Sequence, residues 1–357
     1  MAPQVLYITR AHSDGAGGME RLSFELVTAL KRVAQPVTVL AHRGSRRSSP
    51  LFILKSIPAV LRLARGADVV HLGDPMLSFL GWLIQVLYRK PVVVTVHGLD
   101  ITYPLFLYQW YLRLFFDRLN FFVAISQHVE QLLLKRSLHG KIVVIAPGIF
   151  DTLYDENRTR GDLDVLLGRE TAGVTVLCTI GRLVTRKGQA WFIERVLPHL
   201  PPTMWYVVAG EGPAKAAIET AARRAGVQAR VLLLGRITAE AKRTLLNTID
   251  AFIQPNIPVP NDVEGFGIVL PEASSCGRLV LAANLGGMSD AVINEVTGKL
   301  LPAGDAPVWI KALEDLPALR QQTAFQPSAV RQATLDTYEW SRLIAHYQEL
   351  YHLAVQH

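Results

Sequence analysis

Short aliphatic and β-branched runs recur through the first 150 residues, and stretches with helical spacing of apolar side chains separate them. Continuous apolar strands that alternate with helices are typical of a parallel sheet covered on both faces. The first half of the chain therefore predicts an α/β unit. Its predicted strands are residues 5–9, 37–40, 69–72, 92–96, 121–124 and 142–145.

The alternation restarts after a polar stretch at residues 151–173, which we interpret as a linker. Further strands are predicted at 174–180, 205–209, 231–234, 251–254 and 279–282. Two successive α/β units of similar size predict two doubly wound domains facing a cleft. The chain ends in an amphipathic helix with an apolar stripe suited to packing on a domain surface: Trp340, Leu343, Ile344, Tyr347, Leu350, Tyr351 and Ala354.

The composition is that of an ordinary globular protein. Half of the 357 residues are hydrophobic and 19% are charged, which excludes a disordered, collagen-like or coiled-coil chain. The two cysteines, Cys178 and Cys276, fit no disulfide or metal-ligand spacing, so a reducing compartment is expected. Residues 1–10 are typical of a buried strand. The longest apolar stretch, 76–88, is too short to span a bilayer. We therefore expect a cytoplasmic protein.

The positive charge is unevenly distributed. The net charge is +7, yet residues 1–160 hold 19 Lys/Arg against 11 Asp/Glu, whereas residues 161–357 hold 18 against 19. The whole excess lies in the first half, which indicates an anionic partner there: phosphates, nucleic acid or an anionic membrane face.

Two motifs of the first half lie at the ends of predicted strands. The turn at 13–20 contains Gly17 and Gly18 before a helix, so it is either a phosphate-binding loop or a plain strand-to-helix turn. His97 follows the strand at 92–96, at the edge where open α/β sheets bind ligands. It would donate a hydrogen bond to a substrate or act as a base, unless it is a structural histidine.

Two motifs of the second half follow its first two strands. Arg182 and Lys187 lie five residues apart across a turn, so both heads can converge on one diphosphate. The alternative is a solvated basic loop. Gly210 belongs to a glycine-rich turn at 207–213 that either lines a nucleotide site or only turns the chain.

The segment at 264–272 is the most specific. Glu264 and Glu272 flank a turn in which Gly267 and Ile268 would present backbone N–H groups to a phosphate. Two acceptor-only carboxylates in such a place suit sugar or ribose hydroxyls. Two surface glutamates are the alternative, which the apolar residues between them disfavour.

Together these segments resemble the retaining glycosyltransferases of family 4, which have the GT-B fold of two Rossmann-like domains. The resemblance implies an acceptor-side domain at 1–160, a nucleotide-sugar donor domain at 161–335, and a helix at 336–357 that packs back on the N-terminal domain. It runs over nearly the whole chain, through 17–20, His97, 124–126, 146–148, 181–188, 210–213, 264–272, 286–287 and 297–302.

The resemblance also implies roles for individual residues. Arg182 and Lys187 would bind the donor diphosphate, Glu272 the ribose and Glu264 the donor sugar, which His97 would contact from the N-terminal side. The expected catalytic residues are His97, Arg182, Lys187 and Glu264. The expected donor-binding residues are Gly17, Gly18, Arg182, Lys187, Gly210, Arg236, Ile237, Glu264, Phe266, Gly267, Ile268 and Glu272, with the backbone at Arg236 and Ile237 holding the base.

By this resemblance the protein transfers a hexose from a nucleotide diphosphate sugar to a glycan or lipid-linked acceptor, with retention of anomeric configuration. No metal or cofactor is expected, because Arg182 and Lys187 would neutralise the leaving diphosphate. Residues 256–263 resemble mannosyl-transferring members, which favours GDP-mannose, with UDP-hexoses next.

Three other classes compete with this interpretation. The first is another GT-B enzyme, such as an epimerase, or a non-catalytic nucleotide-sugar-binding protein. The second is a Rossmann oxidoreductase, but the first loop lacks the G-x-G-x-x-G pattern. The third is a nucleic-acid-binding protein, for which the chain has no reader motif. No nucleic-acid partner is therefore expected.

The acceptor side is predicted from charge and aromatic content. Residues 51–65 place Lys55, Arg62 and Arg65 among aliphatic side chains, and residues 103–119 combine aromatic side chains with arginines. A basic amphipathic surface of this kind suits an anionic bilayer, so we expect peripheral association with the cytoplasmic face of the membrane. The alternative is that the aromatic side chains are core and the charges are solvated.

Overall fold

The computed structural model describes residues 2–10, 18–42 and 49–357. The chain divides into two compact units, the first formed by Met1–Gly148 with Tyr338–His357 and the second by Ile149–Thr337. This boundary falls before the predicted one at residue 160. The polar stretch at 151–173 is part of the second unit, because Arg160–Leu167 forms a helix whose Arg160 binds the carboxylate of Asp250 at 3.0 Å.

The first unit contains a six-stranded parallel sheet in the order β2-β1-β3-β4-β5-β6. The strand order reverses between β1 and β3, where ligand sites of open α/β sheets form. Its strands are β1 Val5–Thr9, β2 Val37–Ala41, β3 Val69–Leu72, β4 Val92–Val96, β5 Phe121–Ala124 and β6 Lys141–Val144. Its helices are α1 Gly18–Arg32, α2 Ser49–Ala64, α3 Ser78–Tyr88, α4 Leu99–Thr102, α5 Phe106–Phe115 and α6 Gln127–Leu134.

The second unit contains another six-stranded parallel sheet, in the order β12-β11-β10-β7-β8-β9, which reverses between β7 and β10. Its strands are β7 Thr175–Ile180, β8 Met204–Ala209, β9 Val231–Gly235, β10 Ala251–Gln254, β11 Leu279–Ala283 and β12 Gly298–Leu301. Its helices are α7 Arg160–Leu167, α8 Gln189–Arg195, α9 Lys215–Arg224, α10 Ala239–Thr248, α11 Val269–Ser275, α12 Ala306–Glu314, α13 Leu316–Leu319 and α14 Pro327–Tyr338, and α15 Trp340–Gln356 follows.

The predicted fold class, two doubly wound α/β units, is confirmed. Every residue of β1, β4 and β11 is buried, as expected for parallel strands covered by helices on both faces. Among the helices of the described residues, none combines the length and the apolar character needed to cross a membrane.

The final helix, α15, is anchored on the first unit by a buried histidine. His71 of β3 is hydrogen-bonded through Nδ1 to the Tyr351 hydroxyl at 2.7 Å and through Nε2 to the Thr95 hydroxyl at 2.8 Å. At the other end of α15, the Trp340 ring fills the space beside Gly148, where a Cβ would lie 2.4 Å from the ring. Burial, with a smaller contribution from His97, lowers the pKa of His71 from 6.5 to about 3.

We predict a pH dependence of stability that originates at His71. Because the pKa of His71 is lowered by folding, the unfolded chain takes up a proton first as pH falls below about 6.5. The free energy of unfolding should therefore decrease progressively from pH 6.5 towards pH 4. Urea unfolding of wild type and His71→Gln over this range measures it: the variant keeps a hydrogen-bonding side chain but loses the titrating group, so its profile should be flatter.

His346→Gln provides the control, since His346 is exposed on α15, the helix that His71 contacts. This variant should keep the wild-type slope. Identical slopes for wild type and His71→Gln would contradict the assignment.

Candidate functional site

The loops that follow β7, β8 and β9 touch one another at the carboxyl edge of the second sheet. The Gly181 N–H donates to the Ala209 carbonyl at 2.9 Å, and the Gly210 N–H donates to the Gly235 carbonyl at 2.7 Å. Gly210 has φ of 142°, and a Cβ there would lie 1.9 Å from the Gly181 carbonyl oxygen. A side chain at 210 would push these loops apart, so glycine is required to bring the two motifs together.

The turn after β7 also contacts the loop after β10. The Ile257 N–H donates to the Arg186 carbonyl at 2.9 Å. Gly188 has φ of 68°, and a Cβ there would lie 1.8 Å from the Pro255 carbonyl oxygen. Because β7 and β10 are the strands between which the order reverses, this contact lies where a doubly wound sheet forms its ligand crevice.

A charge cluster forms at this contact. The ammonium of Lys187 lies 2.8 Å from the Glu264 carboxylate, and Arg186 Nε lies 3.4 Å from the same oxygen. Arg186 also binds Asp262 at 3.0 Å. The side chains of Lys187 and Glu264 are 7% and 15% exposed. Burial raises the pKa of Glu264, but Lys187 and Arg186 outweigh that effect, and the pKa is held below its usual value.

Arg186 is a site residue that the sequence analysis missed. Arg186 accompanies Lys187 at Glu264, whereas Arg182 is exposed and forms no ion pair within the described residues. The predicted convergence of Arg182 and Lys187 on a diphosphate stays a prediction. The signal was present in the acidic residues Asp262 and Glu264. Spacing along the loop could not show which basic side chain would turn towards them.

The Glu272 carboxylate is also held by a lysine. Glu272 lies in the first turn of α11, is 1% exposed, and binds the ammonium of Lys242 from α10 at 2.5 Å. Lys242 is a second residue that the sequence analysis missed, because its partner is 30 residues away along the chain. Burial of a carboxylate is costly unless a group of opposite charge lies beside it.

The turn between Glu264 and α11 is fixed by close backbone contacts. Gly267 has φ of 87°, and Phe266 is buried. The Gly287 N–H donates to the Glu264 carbonyl at 2.9 Å, and a Cβ at Gly287 would lie 1.9 Å from the Gly265 carbonyl oxygen. These contacts hold Glu264 beside Lys187. Ile268 directly precedes α11, so its amide lies at the amino end of that helix.

A pocket of about 490 Å³ adjoins the charge cluster and is lined by Arg186, Asn256, Asp262, Glu264 and the apolar residues near them. Asn256 is buried, and its side-chain carbonyl Oδ1 has no hydrogen-bond donor within the described residues. The same holds for Oε1 of the buried Gln254, at the end of β10. Two buried acceptors without donors favour a ligand that carries hydroxyl groups.

The structure places the remaining predicted residues as follows. Arg236 is exposed and Ile237 is half-buried, directly after β9 at the same edge as Gly210. In the first unit, Gly18 is the exposed first residue of α1, and Gly17 lies outside the described residues.

His97 lies directly after β4 in the first unit. Its backbone N–H donates to the Asp100 carboxylate at 2.8 Å, and its Nε2 lies 3.0 Å from the Gly73 carbonyl oxygen. Because a carbonyl only accepts, Nε2 must carry the proton. Nδ1 is then the ring nitrogen left for a ligand.

Within residues 2–10, 18–42 and 49–357, no group of three or more His, Cys, Asp or Glu side chains is placed to hold a metal ion. Cys178 and Cys276 are buried thiols, and burial raises the pKa of Cys276 to about 12.

Two protein families together match most of the chain. Residues 16–152 match the family described as Glycosyltransferase Family 4, and residues 174–318 match Glycosyl transferases group 1. The two six-stranded sheets match solved glycosyltransferases of the GT-B fold, among them Anabaena HepE in complex with UDP-glucose, with a TM-score of 0.74, 22% identity, and 98% and 99% of the two chains covered. The chain therefore belongs to the glycosyltransferases of the GT-B fold, and it is an enzyme of that class.

Two relatives come from Mycolicibacterium smegmatis. A GDP-mannose-dependent alpha-(1-6)-phosphatidylinositol monomannoside mannosyltransferase is 34% identical over 181 residues, 49% of this chain and 47% of the relative. This match thus spans about half the length of that relative. A phosphatidyl-myo-inositol mannosyltransferase is 24% identical, over 95% of this chain and 90% of its own.

We predict that Lys242→Met destabilises the second unit. It removes the partner of a carboxylate that is 1% exposed, and breaking a buried ion pair costs about 3 kcal/mol. Urea unfolding at pH 7 measures the loss. Lys215→Met is the matched control on α9, where the Lys215–Glu219 pair is exposed and 3.9 Å apart, so its effect should stay below about 1 kcal/mol. Equal losses for the two variants would contradict the role given to Lys242.

Proposed function

We propose that the protein transfers a hexose from a nucleotide diphosphate sugar to a lipid-linked acceptor and retains the anomeric configuration. GDP-mannose is the donor that we favour. The observation that carries the proposal is the cluster of Lys187, Arg186 and Glu264 at the carboxyl edge of β7 and β10. It combines cations for a departing diphosphate with a carboxylate for sugar hydroxyls.

The cations supply the electrostatic part of the reaction. Cleavage of the sugar–phosphate bond places new negative charge on the departing diphosphate. Lys187 is buried and already positioned by Glu264, so little reorganisation is needed when that charge develops. Arg182 is exposed on the same loop, and we propose that its guanidinium binds the diphosphate. The amides of Gly267 and Ile268 face the same phosphates in this proposal.

The carboxylates and amides supply the hydroxyl-binding part. Glu264 is ionised, so it accepts hydrogen bonds from the donor sugar. The side-chain oxygen of Asn256, which has no donor within the described residues and lines the same pocket, provides a further acceptor. Glu272 binds the ribose in this proposal, and the ammonium of Lys242 holds its carboxylate in place.

The proton balance needs no additional base. The sugar–oxygen bond to the diphosphate breaks, the acceptor hydroxyl oxygen bonds to the anomeric carbon on the same face, and a diphosphate oxygen takes the hydroxyl proton. We also propose His97 as a residue that contacts the donor sugar. A covalent intermediate on Glu264 is the alternative route to retention; its ion pair with Lys187 makes this carboxylate a weaker nucleophile.

The relatives support mannose and a lipid acceptor. The relative with 34% identity is named for GDP-mannose and for a phosphatidylinositol mannoside, and the relative that covers most of the chain is named for phosphatidyl-myo-inositol. UDP-hexoses are the next candidates, since the HepE structure with the same fold contains UDP-glucose.

The surface of the first unit supports a membrane-bound acceptor. At the start of α5, Phe106 and Leu107 are 79% and 68% exposed, with Tyr103 and Trp110 also exposed. The alternative that these aromatic side chains are core applies only to part of the segment, such as Phe116, which is buried. On α2, Leu51 and Leu54 are exposed together with Lys55 and Arg62. We propose that these side chains contact the cytoplasmic face of an anionic membrane.

We predict that Lys187→Ala and Glu264→Ala each lower mannosyl transfer from GDP-mannose at least roughly tenfold, because each removes a group that acts on the departing diphosphate or the sugar. Lys215→Ala on exposed α9 is the control and should retain wild-type turnover. Normal turnover in either site variant would remove that residue from the mechanism.

The preferred nucleotide is tested separately by thermal unfolding. We predict that GDP raises the melting temperature of the protein more than UDP or ADP does, and no response to any of the three would contradict the donor site.

We predict that Phe106→Ser/Trp110→Ser weakens binding to vesicles containing phosphatidylglycerol at least roughly tenfold, because it removes two large apolar contacts. Co-sedimentation at low salt measures it. Val165→Ser, which changes an 85% exposed apolar side chain on α7 of the second unit, should leave binding unchanged. No vesicle binding by the wild type, or equal binding by both variants, would contradict the membrane surface.

A further inference from the structure

We infer that a second anion site, specific for a phosphate group, lies at the amino-terminal edge of the sheet in the first unit. A pocket of about 450 Å³ opens there, where α3 and α15 end and where β4, β5 and β6 begin. Five basic side chains line it: Arg89, Lys90, His139, Lys141 and His357. This inference goes beyond the proposed function, because the donor groups lie at the carboxyl edge of the other sheet.

The pocket has a rigid backbone frame. At Gly140, a Cβ would lie 2.2 Å from the Asn120 carbonyl oxygen, so only glycine allows the turn before β6 to approach the start of β5 so closely. The Lys141 N–H donates to that carbonyl at 2.8 Å, and Asn120 Oδ1 accepts from the Val92 N–H at 2.9 Å. These contacts fix the backbone that carries the charged side chains.

In the described part of the chain, the cationic side chains of the pocket have no acidic side chain beside them. No Asp or Glu lines it, and Arg89, Lys90 and Lys141 form no ion pair within the described residues. The Asp117 carbonyl accepts from the His139 N–H, but the Asp117 carboxylate is occupied by Arg136 at 2.8 and 3.1 Å. Like charges gathered in one pocket repel each other, and a bound anion relieves that repulsion.

The backbone conformation of Arg89 is a second observation that favours a phosphate ligand. It ends α3 in the left-handed conformation, with φ of 53° and ψ of 30°. Glycine is strongly preferred at this position of a helix end, and an arginine is strained there. Backbone stability therefore does not explain the arginine, whereas a phosphate ligand does, since the guanidinium provides paired donors and Lys141 a point charge.

The phosphate could belong to a soluble ligand or to a lipid headgroup, and the surroundings bear on both. Val86 and Leu87 are exposed on the last turn of α3, immediately before Arg89. Apolar side chains beside a phosphate site suit a membrane surface, but the pocket also suits a free phosphate. The experiment therefore has one arm for each source.

The test compares wild type with Arg89→Gly/Lys141→Gln. Because glycine suits the left-handed position, this variant should melt at or above the wild-type temperature, which separates binding from folding. Calorimetric titration with inorganic pyrophosphate tests the soluble source. Co-sedimentation with phosphatidylcholine vesicles containing phosphatidylglycerol tests the lipid source. The matched control is Arg223→Gln/Arg224→Gln, which removes two exposed cations from α9 of the second unit.

The affinity of the variant for pyrophosphate, for the anionic vesicles, or for both should fall at least tenfold. The control should keep the wild-type affinity for both. A loss confined to pyrophosphate assigns the pocket to a soluble phosphate ligand, and a loss on vesicles assigns it to a lipid phosphate. Two results together would overturn the inference. Lys187→Ala would abolish pyrophosphate binding entirely, and Arg89→Gly/Lys141→Gln would bind the vesicles as tightly as the wild type does. An equal loss in the control would do the same. If only the proposed donor site is wrong, the difference in binding between wild type and Arg89→Gly/Lys141→Gln should remain.

Discussion

The buried ion pair between Lys187 and Glu264 is the interaction on which the candidate donor site depends. A carboxylate with its side chain 15% exposed stays ionised because a lysine and an arginine face it. The pair in turn depends on backbone contacts that only glycine permits, at Gly188 on one side and Gly287 on the other. These contacts bring the loops of β7, β10 and β11 to one place. The reversal of strand order between β7 and β10 leaves room for a ligand there.

The charges of the two units have different consequences. In the second unit, largely buried cations are paired with carboxylates, as at Lys187 and Glu264 and at Lys242 and Glu272, and the composition is nearly neutral. In the first unit, the surplus is spread over exposed positions on α2 and in the pocket around Arg89 and Lys141. The nucleotide binding that we propose for the second unit does not account for that surplus. A membrane surface and a phosphate ligand are the partners that its position suggests.

Much of the site could be located from the sequence, because glycine-rich turns at strand ends have a defined place in a doubly wound sheet. The motifs around Gly181, Gly210 and Glu264 therefore indicate one edge of the sheet from the sequence alone. Ion-pair partners could not be found in this way. Lys242 and Glu272 are 30 residues apart, and the pairing of Arg186 with Glu264 depends on how the turn Thr185–Lys187 orients its side chains.

The sequence by itself determined the alternation of buried strands and helices, the restart of that pattern, and the family, because period and spacing are local properties of the chain. It also determined that the basic excess lies in the first half. Only the tertiary structure decided which charges pair, that His71 holds α15 through Tyr351, and that unpaired cations gather around Arg89. The physical reason is that ionic and hydrogen-bond partners are selected by distance and burial. Both arise only when strands far apart in sequence become neighbours in a sheet.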